Sequence, residues 1–423
     1  MNDVSGSGPH RAAPPAPGAA QAPSAEVTSG RVLAPLYSAG FVTAFGAHAV
    51  AASLGTHFGS AQVSFFALGV ALAVYDIAEV LLKPVFGSLA DRCGPRPVLL
   101  GGLAVFALVS GAFVVVDLLG LVSSASGSIV ALAVVRLGQG AAASAFSPAA
   151  GAMVGRLVGP TRRGRVFGSY GAWKGAGYTA GPLLGGVIIT FGGLAALFAT
   201  LGAVAAAVAL WAAVAVPVVD PLPRRRQTLA DLGRRLLEPG FLRPTTALAA
   251  TTAALSVGVG FFPVLGVRSG LSPVATGAVV ACLALASTLV QPRAGRAHDR
   301  GRLSSRQAMA AGFALTVAGF VIAATVPGLG GLVSAAIAVG LGVGTITPVA
   351  FADLAAGSRP ERLGQTMGSA EVGRELGDGG GPLLVGALAS VATVAGGLGG
   401  FAVVLAAIGL GATGHGRRQR MRS

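Results

Sequence analysis

Apolar stretches of about twenty residues recur along the chain near 31–54, 62–88, 97–118, 127–155, 166–192 and 194–219, and again near 244–267, 271–293, 305–326, 329–352, 366–392 and 396–413. A helix of about 20 residues crosses the hydrocarbon core of a bilayer, so the pattern predicts an all-α integral membrane protein with twelve transmembrane helices. An even number of crossings brings both termini to the same side. Composition agrees with this reading. Hydrophobic residues make up 53% of the chain and charged residues 11%, whereas a soluble domain carries about 25% charged residues.

The net charge of +15 takes its meaning from where the basic residues fall. Alternate connections hold Arg92 and Arg96; Arg156, Arg162, Arg163 and Arg165; Arg224 to Arg226 with Arg234, Arg235 and Arg243; Arg293 to Arg306; and Arg359 and Arg362, while the other connections hold only Arg268. Basic residues flank the cytoplasmic ends of membrane helices. Both termini, including Arg417, Arg418, Arg420 and Arg422, are therefore expected in the cytoplasm, with the protein in the cytoplasmic (plasma) membrane. No solvated basic domain with aromatic platforms is present, which argues against nucleic-acid binding.

The expected layout is a disordered cytoplasmic tail over 1–30, a six-helix bundle over 31–219, a cytoplasmic linker over 220–243, a second bundle over 244–413 and a basic tail over 414–423. Within the linker, Thr228 to Asp231 forms a capping-box pattern ahead of Leu232, Leu236 and Leu237. This predicts a short helix lying at the membrane surface.

The two halves are related by an internal repeat. Residues 167–186 align without a gap on 367–386, with Gly168, Ser169, Gly177, Gly181, Pro182, Leu183, Leu184 and Gly186 identical to their partners 200 residues on; Lys174 falls opposite Arg374. Gly140 and Pro148 recur as Gly340 and Pro348. At an offset of 208, Pro84, Gly87, Asp91 and Arg92 recur as Pro292, Gly295, Asp299 and Arg300. Two parallel six-helix repeats are the construction of a rocking transporter whose site lies between them near the midplane.

From residue 31 to 413 the chain resembles the major facilitator superfamily, and three motifs carry the likeness. Gly87-Ser-Leu-Ala-Asp91-Arg92-Cys-Gly94-Pro-Arg96 is similar to the superfamily's loop between helices 2 and 3. There the resemblance implies a tight glycine turn and charges that lock the halves at the cytoplasmic face, and Gly295, Asp299 and Arg300 repeat it. Arg136-Leu-Gly-Gln139-Gly140 resembles the helix 4 motif of proton-coupled members. Gly177-Tyr-Thr-Ala-Gly181-Pro182-Leu-Leu-Gly185-Gly186 resembles the helix 5 motif of antiporters; its Gly-Pro pair recurs as Gly381-Pro382 and is expected to bend helices 5 and 11 beside a gate. The pattern departs from the family where Pro95 replaces a basic residue, and where helix 1 offers His48 in place of the acid of several drug-exporting branches. The resemblance implies a major facilitator fold working as a monomer.

Nine ionisable residues fall inside the predicted spans: Asp76, Glu79, Lys83, Arg136, Lys174, Glu371, Arg374, Glu375 and Asp378. At about 3 kcal/mol each, exposure to hydrocarbon would cost on the order of 25 kcal/mol, so they must face water or one another. Spacing allows Glu79 to pair with Lys83, and lets Arg374 reach Glu371 or Asp378. Asp76 has no local partner, and the set carries one excess negative charge. Asp76 and one of Glu371, Glu375 or Asp378 are candidates to bind protons or substrate, with Arg136, Lys174 and Arg374 biasing them. The competing reading is that Lys174 and Arg374 hold an anionic substrate.

No phosphate-binding loop and no metal-ligand spacing appears, so neither a catalytic centre, a metal nor a cofactor is expected; a proton gradient is the expected energy source. Three classes remain: a proton-coupled exporter of a small molecule, an uptake symporter or facilitator of an organic anion or metabolite, and a non-transporting sensor or lipid-handling protein.

Overall fold

The computed structural model describes residues 30–58, 65–120, 125–221 and 237–413. Nearly all of the two predicted tails and of the surface helix expected over 228–237 lies outside these residues. Helices α1 (Gly30–Phe58), α2 (Phe65–Cys93), α3 (Pro95–Leu118) and α4 (Ala125–Leu157) precede one helical run, Arg163–Ala215. Gly193 interrupts that run at φ 68°, ψ −168°, a backbone conformation essentially reserved for glycine. It divides the run into α5 (163–192) and α6 (194–215), at the boundary the hydrophobic pattern predicts. The second half comprises α7 (Pro239–Arg268), α8 (Pro273–Asp299), α9 (Ser305–Thr325), α10 (Leu329–Ala356), α11 (Leu363–Val391) and α12 (Val394–Thr413).

Nine segments among the described residues are long and apolar enough to cross a membrane, and one of them, Pro160–Ala215, holds both α5 and α6. The helices missing from that set are α2 and α11, which carry most of the intramembrane charge. Large apolar side chains such as Leu108, Leu210, Val214, Leu383 and Leu410 are exposed. A protein solvated by acyl chains presents such a surface.

Each half is assembled through the same seams. In the first, α1 packs on α5, α2 on α4, and α3 on both α4 and α6; in the second, α7 packs on α11, α8 on α10, and α9 on both α10 and α12. Glycines set the approach. Gly140 on α4 abuts the Tyr75 carbonyl of α2, and its repeat Gly340 abuts the Leu283 carbonyl of α8. Gly177, Gly181 and Gly185 lie against Phe41, His48 and Ala49 of α1, while Gly377 and Gly381 lie against Ala249 and Ala253 of α7. Gly177, Gly181 and Gly185 of the helix 5 motif, and Gly381, thus sit in seams inside each half, where small residues let membrane helices close up, whereas Gly186 of the motif faces open space. Pro182 and Pro382 are built into α5 and α11, and in the run containing Pro182 the residue that leaves helical geometry is Gly193.

Between the halves, α2 meets α11 and α5 meets α8, with α4 on α11 and α5 on α10 beside them. These crossings close the arginine-rich end. Gly87 faces the backbone of Gly364, and Gly295 that of Gly164, so closely that a Cβ at either position has no room. At each crossing an aspartate ending one helix accepts the free N–H groups that begin the helix opposite. Asp91 accepts from Gly364 N and Gln365 N, both at 2.8 Å, and Asp299 accepts from Gly164 N and Arg165 N, both at 2.7 Å. Arg156 Nη2 adds a further bond to Asp91 at 3.0 Å.

This corrects the expected loop. Helix α2 continues through Cys93, so Gly87 provides a close helix crossing and Gly94, at φ 87°, makes the turn. Of the motif's charges, Asp91 joins the halves. Arg96 instead donates to the Ala213 carbonyl at 2.6 Å, tying α3 to α6 within the first half. Arg92 and Arg300 are exposed and form no ion pair among the described residues.

Alanine at Gly364 or Gly295 should hold the arginine-rich end apart, whereas alanine at Gly101, which faces open space, should not. Spin labels placed across α2 and α11 would read this as a longer distance in Gly364→Ala. An unchanged distance distribution in both interface variants would show that the crossing does not depend on these glycines.

Candidate functional site

About two turns inside the aspartate caps, the seams between halves bring six of the nine intramembrane charges into one buried cluster. Gly368 makes this possible on the α2–α11 side, because it seats α11 directly on the Lys83 carbonyl and Pro84 of α2. Lys83 is 0% exposed. Its ammonium contacts Glu79 at 2.9 Å on its own helix, and Glu375 at 2.5 Å and Glu371 at 3.8 Å on the other half. Glu371 is also held by Lys174 of α5 at 2.7 Å and by Arg374 at 3.1 Å. The three carboxylates and three cations balance. Buried ions persist when each has an opposite charge and hydrogen bonds.

The expected i, i+4 pair of Glu79 and Lys83 is present, as is the i, i+3 pair of Glu371 and Arg374. The expected reach of Arg374 to Asp378 is not realised: Arg374 Nε donates to Thr252 Oγ1 of α7 at 3.2 Å, and Asp378 pairs with the Ser256 hydroxyl. Glu371 lies one turn back on the helix with Lys174 beside it, and it captures the guanidinium.

Arg136 belongs to a second layer. It is 2% exposed and lies over the Tyr75 ring with Cζ 4.0 Å from the centroid, a desolvated cation–π contact worth about 2 kcal/mol. Tyr75 in turn donates to Glu79 at 3.3 Å, linking Arg136 to the cluster. Gly140, one turn along α4, sets this stacking by letting α4 touch the Tyr75 backbone. Arg136 Nε and Nη1 have no hydrogen-bond partner among the described residues. Asp76, two turns from Lys83 towards the opposite end of the bundle, is exposed and forms no ion pair among the described residues.

On the far side of Lys174 and Arg374 lies a cavity of about 30 Å³, bordered by Tyr170, Tyr178, Thr251, Ser287, Gln291 and Thr347 among others. This is room for a water molecule. Gln291 Oε1, at its wall, has no hydrogen-bond partner among the described residues. Neutral polar and aromatic residues of this kind escaped the sequence reading. Only Tyr75 had a legible signal, its i, i+4 spacing from Glu79, whereas Thr252 and Gln291 are recruited across helices.

Residues 32–382 match the family model of the Major Facilitator Superfamily. Among curated proteins, the "Multi-drug resistance efflux pump PmrA" of Streptococcus pneumoniae is 31% identical over 145 residues, 34% of this chain and 33% of its own length. The "Tetracycline resistance protein, class G" of Vibrio anguillarum is 36% identical over 129 residues, 30% of this chain and 29% of its own. The chain thus spans about a third of the length of the curated relatives it matches. Among solved structures, the human organic anion transporter MFSD10 (TETRAN) superposes with a TM-score of 0.72 at 18% identity, over 90% of this chain and 98% of that one. A variant of the Escherichia coli fucose:proton symporter FucP gives 0.70 at 15% identity, over 92% and 98%.

Removing one member of a buried ion pair leaves its partner uncompensated, at a cost of about 3–5 kcal/mol. Glu371→Gln strands both Lys174 and Arg374 and should lower the thermal unfolding midpoint in detergent well below that of Asp76→Asn, whose side chain is exposed. Equal midpoints for the two variants would contradict the pairing described.

Proposed function

Because the chain belongs to the Major Facilitator Superfamily, we propose that it is a secondary active transporter that exports a small molecule across the cytoplasmic membrane in exchange for protons. The observation that carries this reading is the position of Glu375. Glu79 and Glu371 each have a cation on their own helix, Lys83 and Arg374. Glu375 has none there, and among the described residues its ion pair is with Lys83 of the other half. Any movement that parts α2 from α11 leaves Lys83 with Glu79 and strips Glu375 of its counter-ion. A carboxylate so deprived binds a proton or a cationic substrate.

The distribution of charge supports the same coupling. The first half contributes Lys83, Arg136 and Lys174 against Asp76 and Glu79, one positive charge in excess; the second contributes Glu371, Glu375 and Asp378 against Arg374, two negative charges in excess. Closing the arginine-rich end joins unlike charges, and opening it exposes acids to the compartment on that side. Asp76, exposed in the present arrangement, is the matching site for a proton arriving from the opposite side. Export is supported by the efflux-pump and tetracycline-resistance relatives and by the helix 5 motif, and the arginine-rich end is taken as cytoplasmic by the positive-inside rule. One proton crossing 100 mV supplies about 2.3 kcal/mol, enough for roughly a fifty-fold gradient of a neutral solute.

A second reading has an observation of its own. Lys174 and Arg374 both border the polar cavity, as an uptake carrier of a small organic anion would require.

Inside-out vesicles energised with a pH gradient should release protons when the right lipophilic cation is added. Glu375→Gln should abolish the release while leaving solute exchange intact, and Asp76→Asn should reduce it. Downhill solute movement without proton movement, unchanged in both variants, would replace antiport with facilitated diffusion. Proton uptake driven by organic anions would select the second reading.

A further inference from the structure

At the arginine-rich end of the second half, a cavity of about 380 Å³ opens between the starts of α7 and α9 and the ends of α10 and α12. It shares no residue with the central charge cluster. Arg243 and Arg306 line it against a single carboxylate, Asp353. That carboxylate is already engaged, accepting from Ser305 Oγ at 2.8 Å and standing 4.0 Å from His298 Nε2. Neither guanidinium forms an ion pair or hydrogen bond among the described residues. The first half shows the contrast. Arg96 and Arg306 are each the second residue of their helix, α3 and α9, yet Arg96 is committed to the Ala213 carbonyl of α6 whereas Arg306 faces a void beside α12.

Two free guanidiniums around a void of this size suit a phosphate group, which they bind through paired N–H donors. The surroundings favour a phosphate that carries acyl chains. Leu242, beside Arg243, is 45% exposed, and Leu410, one turn from the cavity-lining Thr413, is 73% exposed. Apolar surface therefore runs down from the cavity mouth along the outside of the helices. The cavity lies where these helices end, and basic pockets between helices at head-group depth select anionic lipids. The chain's own continuation past Thr413 carries four arginines and would be repelled.

We propose that this cavity binds the phosphate of an anionic phospholipid, with Arg243 and Arg306 as its ligands and the acyl chains lying past Leu242 and Leu410. The site is independent of the transported solute and of coupling.

The test is thermal unfolding of the purified full-length protein in detergent, titrated with short-chain phosphatidylglycerol, phosphatidylcholine of the same chain length, or glycerol phosphate. In the wild type, phosphatidylglycerol should raise the midpoint with half-saturation at least tenfold below that of phosphatidylcholine. The double variant Arg243→Gln, Arg306→Gln should lose that preference while keeping its response to phosphatidylcholine, which reports that it is folded. Met309→Trp, which fills the cavity without altering charge, should lose it as well and serves if the double variant does not fold. Equal responses to the two lipids in the wild type, or a preference that survives both variants, would overturn the proposal. Glycerol phosphate saturating at the same concentrations as phosphatidylglycerol would assign the site to a soluble anion and overturn it equally.

Discussion

An ammonium group removed from water needs carboxylates around it, and Lys83 is the place where this protein meets that demand. It is fully buried in the middle of a membrane bundle, with one acid from its own helix and two from the other half. Satisfying it requires α2 and α11 to come within touching distance. Gly368 beneath the Lys83 carbonyl, and Gly87 opposite Gly364, supply that distance. Electrostatics and backbone packing are therefore one constraint: the glycines close the crossing, and the crossing completes the ion pairs. Lys174 imposes the same demand from α5, and it meets the same Glu371.

The aspartate caps extend this logic to the end of the bundle. A helix that begins at a buried interface leaves N–H groups without partners, and Asp91 and Asp299 supply acceptors from across the seam. Each half thus finishes the helix of the other. Because the caps are related by the internal repeat, the closed end is built twice from one plan. Among the described residues, the Arg156–Asp91 ion pair has no counterpart at Asp299.

Much of this was legible in the sequence. The number of helices followed from hydrophobic length, and the α5–α6 boundary came out at Gly193 because one glycine separates two apolar runs. Spacing along a helix identified the Glu79–Lys83 and Glu371–Arg374 pairs. What spacing could not supply was contact between helices. Glu371 as the shared partner of Lys174 and Arg374, Thr252 as the second partner of Arg374, and the stacking of Arg136 on Tyr75 all depend on helix rotation, which a single chain's periodicity leaves free. The Gly87 motif was misassigned to a loop for a related reason: glycines and charges in sequence signal a turn, but a polar helix end packed against another helix has the same composition.

The joint at Gly193 has a further consequence for the shape each side of the membrane presents. On the face opposite the arginines, α5 passes to α6 through one residue, α11 to α12 through 392–393, α9 to α10 through 326–328, and α7 to α8 through 269–272. That face of the second half, and the α5–α6 corner, offer almost no free backbone. An epitope, protease site or fluorescent tag inserted there would have to interrupt a helix, and a binding protein approaching the second half from that side would find helix tips in place of long loops. The arginine-rich side, by contrast, carries the long connection between the halves, 216–238.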